Sequence, residues 1–505
     1  MKRKNLAVVL SITLVLFIAT VAGATQPKYI FFFLGDGMAS SQIQATEAYL
    51  TTVNGGSAMN AEDLLRSENR LNMSKMPFQG MQTTYDSFAL MTDSASSATA
   101  FACGIKTASG TINMDNTKTR SYKSVAQLAH EQGRKVGVIS SVSLDHATPA
   151  AYYASVTSRD YMNNIASQMA ASGYEFFGGG GLASPAGPKK DGDTSNDVLS
   201  LLIANGYTAR IDRDSIMALK SSPVSKVICV NPWLQDSAAM PYAIDRPSTN
   251  LSLAEMTEVG IANLSKLSDE KGFFLMVEGG KIDWACHAND AMATIGDMLD
   301  FDKAIGAAMS FYVTHPEETL IIVTGDHETG GMSVGHATTG YKAYYEQLLN
   351  QRNSFTYFAQ NQWAAHKAAN SAGYDWTPVN NLASNAAMIQ LMIDTFGLDL
   401  SQLNDYQKEK LEDAYDMSMC GTTNNITDEN QLLYSYYEPI IVTITHILNE
   451  SASIGWTSYS HTGVPVPVFA QGVKAWKFIG FYDNTDIAKR IAEVMGIQQE
   501  LPVEK

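Results

Sequence analysis

Two aspartate–histidine pairs have spacings that could do chemistry. Asp283 and His287 lie four residues apart in Lys281-Ile282-Asp283-Trp284-Ala285-Cys286-His287, and Asp326 directly precedes His327. On a helix, residues i and i+4 share one face, so Asp283 and His287 could chelate one ion. Mixed oxygen and imidazole donors suit zinc. Either pair alone is weak, because an Asp–His contact is often only a hydrogen bond. Asp36, Glu278 and His461 add enough donors for more than one ion. Two metals about 4 Å apart can hold the entering and leaving oxygens of an in-line phosphoryl displacement. Ser94, in Met91-Thr92-Asp93-Ser94-Ala95-Ser96-Ser97-Ala98-Thr99-Ala100, fits as the group to be activated. A serine hydroxyl is a poor nucleophile without a base or a metal. The Ala-rich run after it can enter a helix at once, which places Ser94 at a helix N-terminus, where the dipole and free N–H groups favour an anion. Arg159 is a candidate to bind phosphate oxygens through two parallel hydrogen bonds. A surface salt bridge is the alternative for Arg159, and the sequence alone does not choose.

The elements that must position these residues are legible as short apolar runs. Tyr29 to Leu34 is continuous and ends at Gly35-Asp36-Gly37. Such a run reads as a strand buried on both faces, hence a parallel sheet covered by helices. Lys135 to Ser140 is similar. Phe273 to Val277 ends in Glu278-Gly279-Gly280, and Leu320 to Val323 ends in Thr324-Gly325-Asp326-His327. In open α/β sheets the carboxyl edge is where ligands bind. A carboxylate at a buried strand end costs heavily unless paired or bound to a cation. Three such strands favour a shared metal site. Helical patterns fill the gaps, over Ser121 to Gln132, Asp160 to Ala171, Leu253 to Leu267 and Asp290 to Tyr312. The alternation predicts an α/β fold with a central, mainly parallel sheet sandwiched by helices. Gly178 to Gly181 lacks dinucleotide-fingerprint spacing and reads as a turn.

Composition narrows the class. The chain has 505 residues, 45% hydrophobic and 17% charged, with a formal net charge of -16. Nucleic-acid-specific binding is excluded as an expectation, because phosphate backbones need clustered Lys and Arg. Lys2, Arg3 and Lys4, an apolar run from Leu6 to Val21 and Ala22-Gly23-Ala24 read as a cleaved export signal over residues 1–24. Ser11, Thr13 and Thr20 interrupt the run and disfavour the rival reading, an uncleaved anchor. A periplasmic or secreted protein with no membrane attachment after cleavage is expected. Cys103, Cys229, Cys286 and Cys420 are far apart, and both free thiols and disulfides are open. Asn263-Leu264-Ser265 fits a glycosylation triplet that chance explains equally well.

From about 335 to 455 the texture changes to Tyr, Asn and Gln, and strand-ending carboxylates disappear. We read 335–455 as an insertion on a catalytic domain formed by 25–334 and 456–505. Dimer contact, shielding of the site entrance and passive decoration all fit it. Val464-Pro465-Val466-Pro467-Val468-Phe469-Ala470 is strand-like, and its prolines confine the early part to an edge.

The motifs together resemble the alkaline phosphatase family. The resemblance rests on Phe33-Leu34-Gly35-Asp36-Gly37-Met38, on Asp93-Ser94-Ala95 with Ala98-Thr99-Ala100, and on His146-Ala147-Thr148-Pro149-Ala150 with Arg159. It continues through Val277-Glu278-Gly279-Gly280-Lys281-Ile282-Asp283, Gly325-Asp326-His327 and His461-Thr462-Gly463, in family order. It implies a secreted or periplasmic enzyme, usually a homodimer, that hydrolyses small-molecule phosphate monoesters through a phosphoserine on Ser94. It also implies two zinc ions and one magnesium. The first zinc would take Asp283, His287 and His461. The second would take Asp36, Asp326 and His327, and the magnesium Asp36, Thr148 and Glu278. Arg159 would clamp the phosphate. His146 stands where some members have an aspartate, and Trp284 where some have a lysine that contacts the phosphate through water. With those residues, zinc or cobalt at the third site is an alternative to magnesium. Sister activities on phosphodiesters or sulfate esters, and a non-catalytic binding protein on the same fold, are the competing readings.

Overall fold

The computed structural model describes residues 26–422 and 426–505. The expected export signal, 1–24, lies outside the described residues. Ten strands form the central sheet: β1 (Tyr29–Gly35), β2 (Phe78–Gln82), β3 (Lys135–Ser140), β4 (Phe176–Gly179), β5 (Thr208–Arg210), β6 (Val227–Val230), β7 (Phe273–Gly279), β8 (Thr319–Gly325), β9 (Val466–Gly472) and β10 (Gly480–Tyr482). Their order is β10-β2-β9-β8-β1-β7-β3-β4-β6-β5. All pairings are parallel except those of β9, which runs antiparallel to both neighbours.

β1 is the centre. All seven of its residues are buried, as an uninterrupted apolar run requires of a strand covered on both faces. Successive side chains go to opposite faces. Ile30, Phe32 and Leu34 join a cluster with Phe101, while Tyr29, Phe31 and Phe33 join another with Met256 and Phe301. Each fully buried Phe contributes about 2 kcal/mol of transfer free energy. The helices that cover the sheet and carry the site are α1 (Ser40–Val53), α2 (Ser94–Cys103), α3 (Leu253–Leu267), α4 (Lys281–His287) and α5 (Ala291–Thr314).

Register sets the site. Gly35 pairs with Gly279 of β7 and with Gly325 of β8, and Ser140 pairs with Glu278. The residues that end these strands, Asp36, Glu278 and Asp326, therefore come out side by side at one sheet edge.

Several local expectations need correction. The glycine run is half strand: Gly178 and Gly179 belong to β4. Glycine is needed there by close approach, since a Cβ on Gly179 would lie 1.9 Å from the Ser140 carbonyl oxygen. The helix expected from Ser121 begins later, at Val125, because Ser124 and Gln127 form a capping box and Tyr122–Lys123 pair as a strand. β9 needs no correction: it lies inside the sheet, and its proline-bearing start is one-sided as expected. Its early part, Val466 and Pro467, pairs only with β2, and pairing with β8 starts at Val468, so the proline interrupts no β8 ladder. Asn263 is buried, with its amide spent on the Val224 backbone, and is closed to a glycan. All four thiols are unpaired, and only Cys420 is exposed.

Residues 335–455 contribute several helices, among them α6 (Pro439–Ser451). Tyr345, Trp363, Phe396 and Ile444 form an apolar cluster that also takes in Ala45 and Ala48 of α1 and Ala291 and Ile295 of α5.

Candidate active site

Ser94 is the first residue of α2. Asp93 caps this helix by accepting from Ser96 N at 2.9 Å, and Gly104 ends it with φ 74°. Ser94 Oγ lies 3.4 Å from Asp36 Oδ1 and 3.4 Å from His327 Nε2. Those two side chains and Asp326 form the first convergence. His327 Nε2 is 3.2 Å from Asp326 Oδ2 and 3.4 Å from Asp36 Oδ1. Asp326 is held in place by Gly37 N and Ser97 Oγ, each at 3.0 Å.

Asp283, His287 and His461 form the second. Asp283 and His287 sit on one face of α4, with His287 Nε2 3.3 Å from Asp283 Oδ2. His461 Nε2 lies 3.5 Å from Asp283 Oδ1 and 3.1 Å from His287 Nε2. The other ring nitrogens are already used. His287 Nδ1 faces the Tyr459 carbonyl at 2.6 Å, and His461 Nδ1 the Thr92 carbonyl at 2.7 Å. A carbonyl only accepts, so both Nδ1 atoms carry the proton and both Nε2 lone pairs point at the same place.

The third convergence surrounds Glu278. Its Oε2 accepts from Ser140 Oγ at 2.5 Å. Its Oε1 is buried without a hydrogen-bond partner among the described residues. Thr148 Oγ1 is 3.4 Å from Asp36 Oδ2. A His146 ring nitrogen lies within 4.8 Å of carboxylate oxygens of Asp36 and Glu278. His146 therefore belongs geometrically to this group as well as to the arginine, since its Nε2 is 3.1 Å from an Arg159 amino group. Arg159 in turn forms an ion pair with Asp93 at 3.0 Å. Its salt bridge is thus to Asp93, the cap of the Ser94 helix. Half-buried Trp284 stands edge-on to His146, ring centres 5.9 Å apart.

The electrostatics point to missing positive charge. Burial, together with Asp326, Asp283 and Glu278 nearby, holds the Asp36 carboxyl well above its ordinary range. Burial pushes Glu278 up to about 8 and Asp326 up to about 6. Asp283 goes the other way: burial opposes it, but His287 and His461 outweigh that and hold it well below the carboxylate range. His287 is raised to about 9 despite its burial, by Asp283. Four buried carboxylates, with an orphaned Glu278 oxygen and convergent Nε2 atoms, fit cations. The oxygen and imidazole sets suit zinc, and the group around Glu278 offers oxygens, which suit magnesium, plus the His146 nitrogen.

Two supporting residues escaped sequence reasoning. Glu328 accepts from Gln42 Nε2 at 2.8 Å, Met332 N at 2.9 Å and Gly331 N at 3.0 Å, and from the Thr462 hydroxyl. This clamp joins Glu328–Thr329 to His461–Thr462 as a short antiparallel pair and stacks His461 on His327 at 3.6 Å. The signal was present as an acidic residue directly after Asp326-His327. Thr329 donates to Asp283 at 2.5 Å and gave no sequence signal.

The family model for alkaline phosphatase matches residues 27–497. Alkaline phosphatase 3 of Bacillus subtilis is 31% identical over 426 residues, which cover 82% of this chain and 80% of that protein. Among solved structures, a cold-active alkaline phosphatase from a psychrophilic Shewanella sp. superposes with a TM-score of 0.70 at 27% identity, over 92% of this chain and 99% of that one. A mutant alkaline phosphatase from the Antarctic bacterium TAB5, with Mg bound in its M3 site, does so with a TM-score of 0.61 at 26% identity, over 94% and 100%.

Proposed function

The chain belongs to the alkaline phosphatase family and is a phosphomonoester hydrolase; from that premise we propose that it works through a phosphoserine on Ser94, in a cleft built for two zinc ions and one magnesium. The observation that carries this reading is the convergence of Asp36, Asp326 and His327 on Ser94 Oγ, beside the second set of Asp283, His287 and His461. The first zinc falls to Asp283, His287 and His461, the second to Asp36, Asp326 and His327, and the magnesium to Asp36, Thr148 and Glu278, with His146 close by. Bound there, the ions would supply Lewis-acid charge that offsets the carboxylates and the charge developing on the entering and leaving oxygens.

The chain's own groups do the rest. Arg159 offers its guanidinium to two non-bridging phosphate oxygens, and its ion pair with Asp93 limits the rotamers open to it. The N-terminus of α2 adds backbone N–H groups and dipole at the phosphate. Ser94 Oγ forms a bond to phosphorus as the bond to the alcohol oxygen breaks. Water then attacks the same phosphorus, releases inorganic phosphate and regenerates the serine. Catalysis rests on positioning and electrostatics. Under the same proposal, 335–455 is an insertion on the sheet domain, the protein is exported to the periplasm or secreted, and it acts as a homodimer. Among the described residues, no helix is long and apolar enough to cross a membrane.

The test is a substrate panel at pH about 9 to 10. p-Nitrophenyl phosphate should be hydrolysed far faster than bis-p-nitrophenyl phosphate or p-nitrophenyl sulfate. A diester or sulfate preference would overturn the role given to Arg159 and Glu278, since an extra cation set and a guanidinium suit a doubly charged phosphate end.

Trp284 leads to a second expectation. Where some relatives carry a lysine near the phosphate, this chain presents a neutral ring beside His146. Product phosphate is then held less tightly, and release is faster. Trp284→Lys should lower the inhibition constant for phosphate by about 3- to 10-fold, the effect of one partly solvated charge a few ångströms away. Turnover should fall with it. An unchanged inhibition constant would sink the idea.

A further inference from the structure

Residues 335–455 meet the catalytic body through polar contacts at Met59, at Asp245 and, most densely, at Asn289 and Asp290. Asn289 and Asp290 follow His287 at the end of α4, and both are buried. Asn289 adopts φ 51°, a left-handed conformation that asparagine tolerates better than most residues. Its Oδ1 accepts from His446 Nε2 at 2.9 Å, and its carbonyl accepts from Asn449 Nδ2 at 2.7 Å. Both donors lie on α6. Its own Nδ2 donates to the carbonyls of Cys286 at 2.8 Å and Ser458 at 3.0 Å. Asn289 thus ties the turn after His287, the chain leading into Tyr459 and α6 into one knot. Asp290 is gripped from the other side, by Gln351 Nε2 at 2.9 Å and by the Phe355 backbone N–H at 2.9 Å.

The second grip is on the partner of His287. The Tyr459 carbonyl that orients His287 Nδ1 is carried by a residue whose hydroxyl donates to the Leu433 carbonyl. The Tyr459 ring lies stacked against Tyr437 at 5.8 Å and against His446 at 5.9 Å. Both the backbone that holds His287 and the acceptor that fixes its tautomer are therefore set by 335–455. A passive appendage would have no reason to place four ties on two residues beside one imidazole.

We infer that 335–455 is a brace for His287: it fixes the position and tautomer of this histidine and thereby retains the zinc of the Asp283–His287–His461 set. The inference rests on the proposed reading of His287 as a zinc ligand. Partners that orient a liganding histidine commonly change metal affinity by about 10- to 100-fold. His446, Asn449 and Tyr459 are positioning residues; none contacts the reacting atoms.

The experiment uses zinc itself, on the full chain. The two zinc dissociation constants are measured by competition with a chromophoric chelator, and zinc content per protein after dialysis. The proteins are the wild type, His287→Ala, His446→Ala, His446→Gln and Tyr459→Phe, with thermal melts of each. Expected is a tenfold or greater weakening of one zinc in His446→Ala, with the other unchanged. Tyr459→Phe should weaken the same zinc by about threefold, and His446→Gln, which keeps an N–H donor, should return to within about twofold of wild type. His287→Ala should lose that zinc outright. If His287→Ala keeps both ions, the ligand assignment is wrong and the brace falls with it. If His287→Ala loses one while folded His446→Ala and Tyr459→Phe bind both normally, the assignment stands and the brace is overturned. Equal weakening of both zincs would mark general destabilisation and also overturn it. Should His446→Ala fail to fold, Tyr459→Phe decides.

Discussion

Ser94→Ala should lower kcat for p-nitrophenyl phosphate by roughly 10⁴-fold or more, equivalent to about 5 kcal/mol of barrier. The acid-stable label that the wild type takes up from [32P]phosphate should vanish. The fold should survive. Ser94 is buried, but its hydroxyl contacts Asp36 and His327 only at 3.4 Å, so replacing it removes little hydrogen bonding. The cap and ion pair of the helix belong to Asp93, which is untouched. The melting temperature should therefore move by no more than about 2 °C, and both zincs should still bind. The remaining activity would measure what the cations, Arg159 and the helix terminus achieve with water as the nucleophile. Undiminished labelling in Ser94→Ala would show that the phosphoryl group passes through another residue.

Removing the metal ions should abolish activity, restored by zinc with magnesium, and should also change how stability responds to pH. In the metal-free protein Glu278 and Asp326 hold protons up to about 8 and about 6, because burial penalises their charged forms. The unfolded chain ionises these groups near 4. A carboxyl whose folded value is raised makes its full contribution below the unfolded value and loses it as pH rises through the folded one. Metal-free protein should therefore become less stable from about pH 5 to about pH 8. The loss should appear as a fall in melting temperature across this window. His287, raised to about 9, acts in the same direction at the upper end. The loaded protein should lack this contribution, because Glu278 and Asp326 then face cations rather than one another. Melts by calorimetry at pH 5.5, 7 and 8.5, with and without chelator, give the comparison. Parallel curves would mean that the carboxylates are not neutralised by metal.

How much of this was legible in the chain depends on the range of the interaction involved. β1, β3, β7 and β8 announced themselves because a strand buried on both faces is an apolar run bounded by glycine. The Asp283–His287 pair was readable because α4 is local and its period puts i and i+4 together. Where the sequence misled, a distant contact had overridden a local pattern. The glycines at 178 and 179 extend as strand because they pair with Ile139 and Ser140 of β3, and the Ser140 carbonyl leaves no room for a Cβ at Gly179. The prolines did not mislead: Pro467 lies where the strand pairs on one side only, because the second ladder starts one residue later.

The sequence by itself determined the inventory: the α/β class, acidic residues at strand ends, a serine opening a small-residue helix, and the histidines that could join them. These are set by short-range periodicity and turn chemistry, and each is written in a few adjacent residues. Only the tertiary structure decided which nitrogens converge. Ser94 meets His327 across 233 residues of chain, and His461 takes its tautomer from Thr92 across 369. Glu328 clamps Thr462, and α6 grips the turn behind His287, through side chains with no local pattern. A buried donor or acceptor must find a partner, but nothing near it in sequence says which, because packing of the whole sheet brings the partner there.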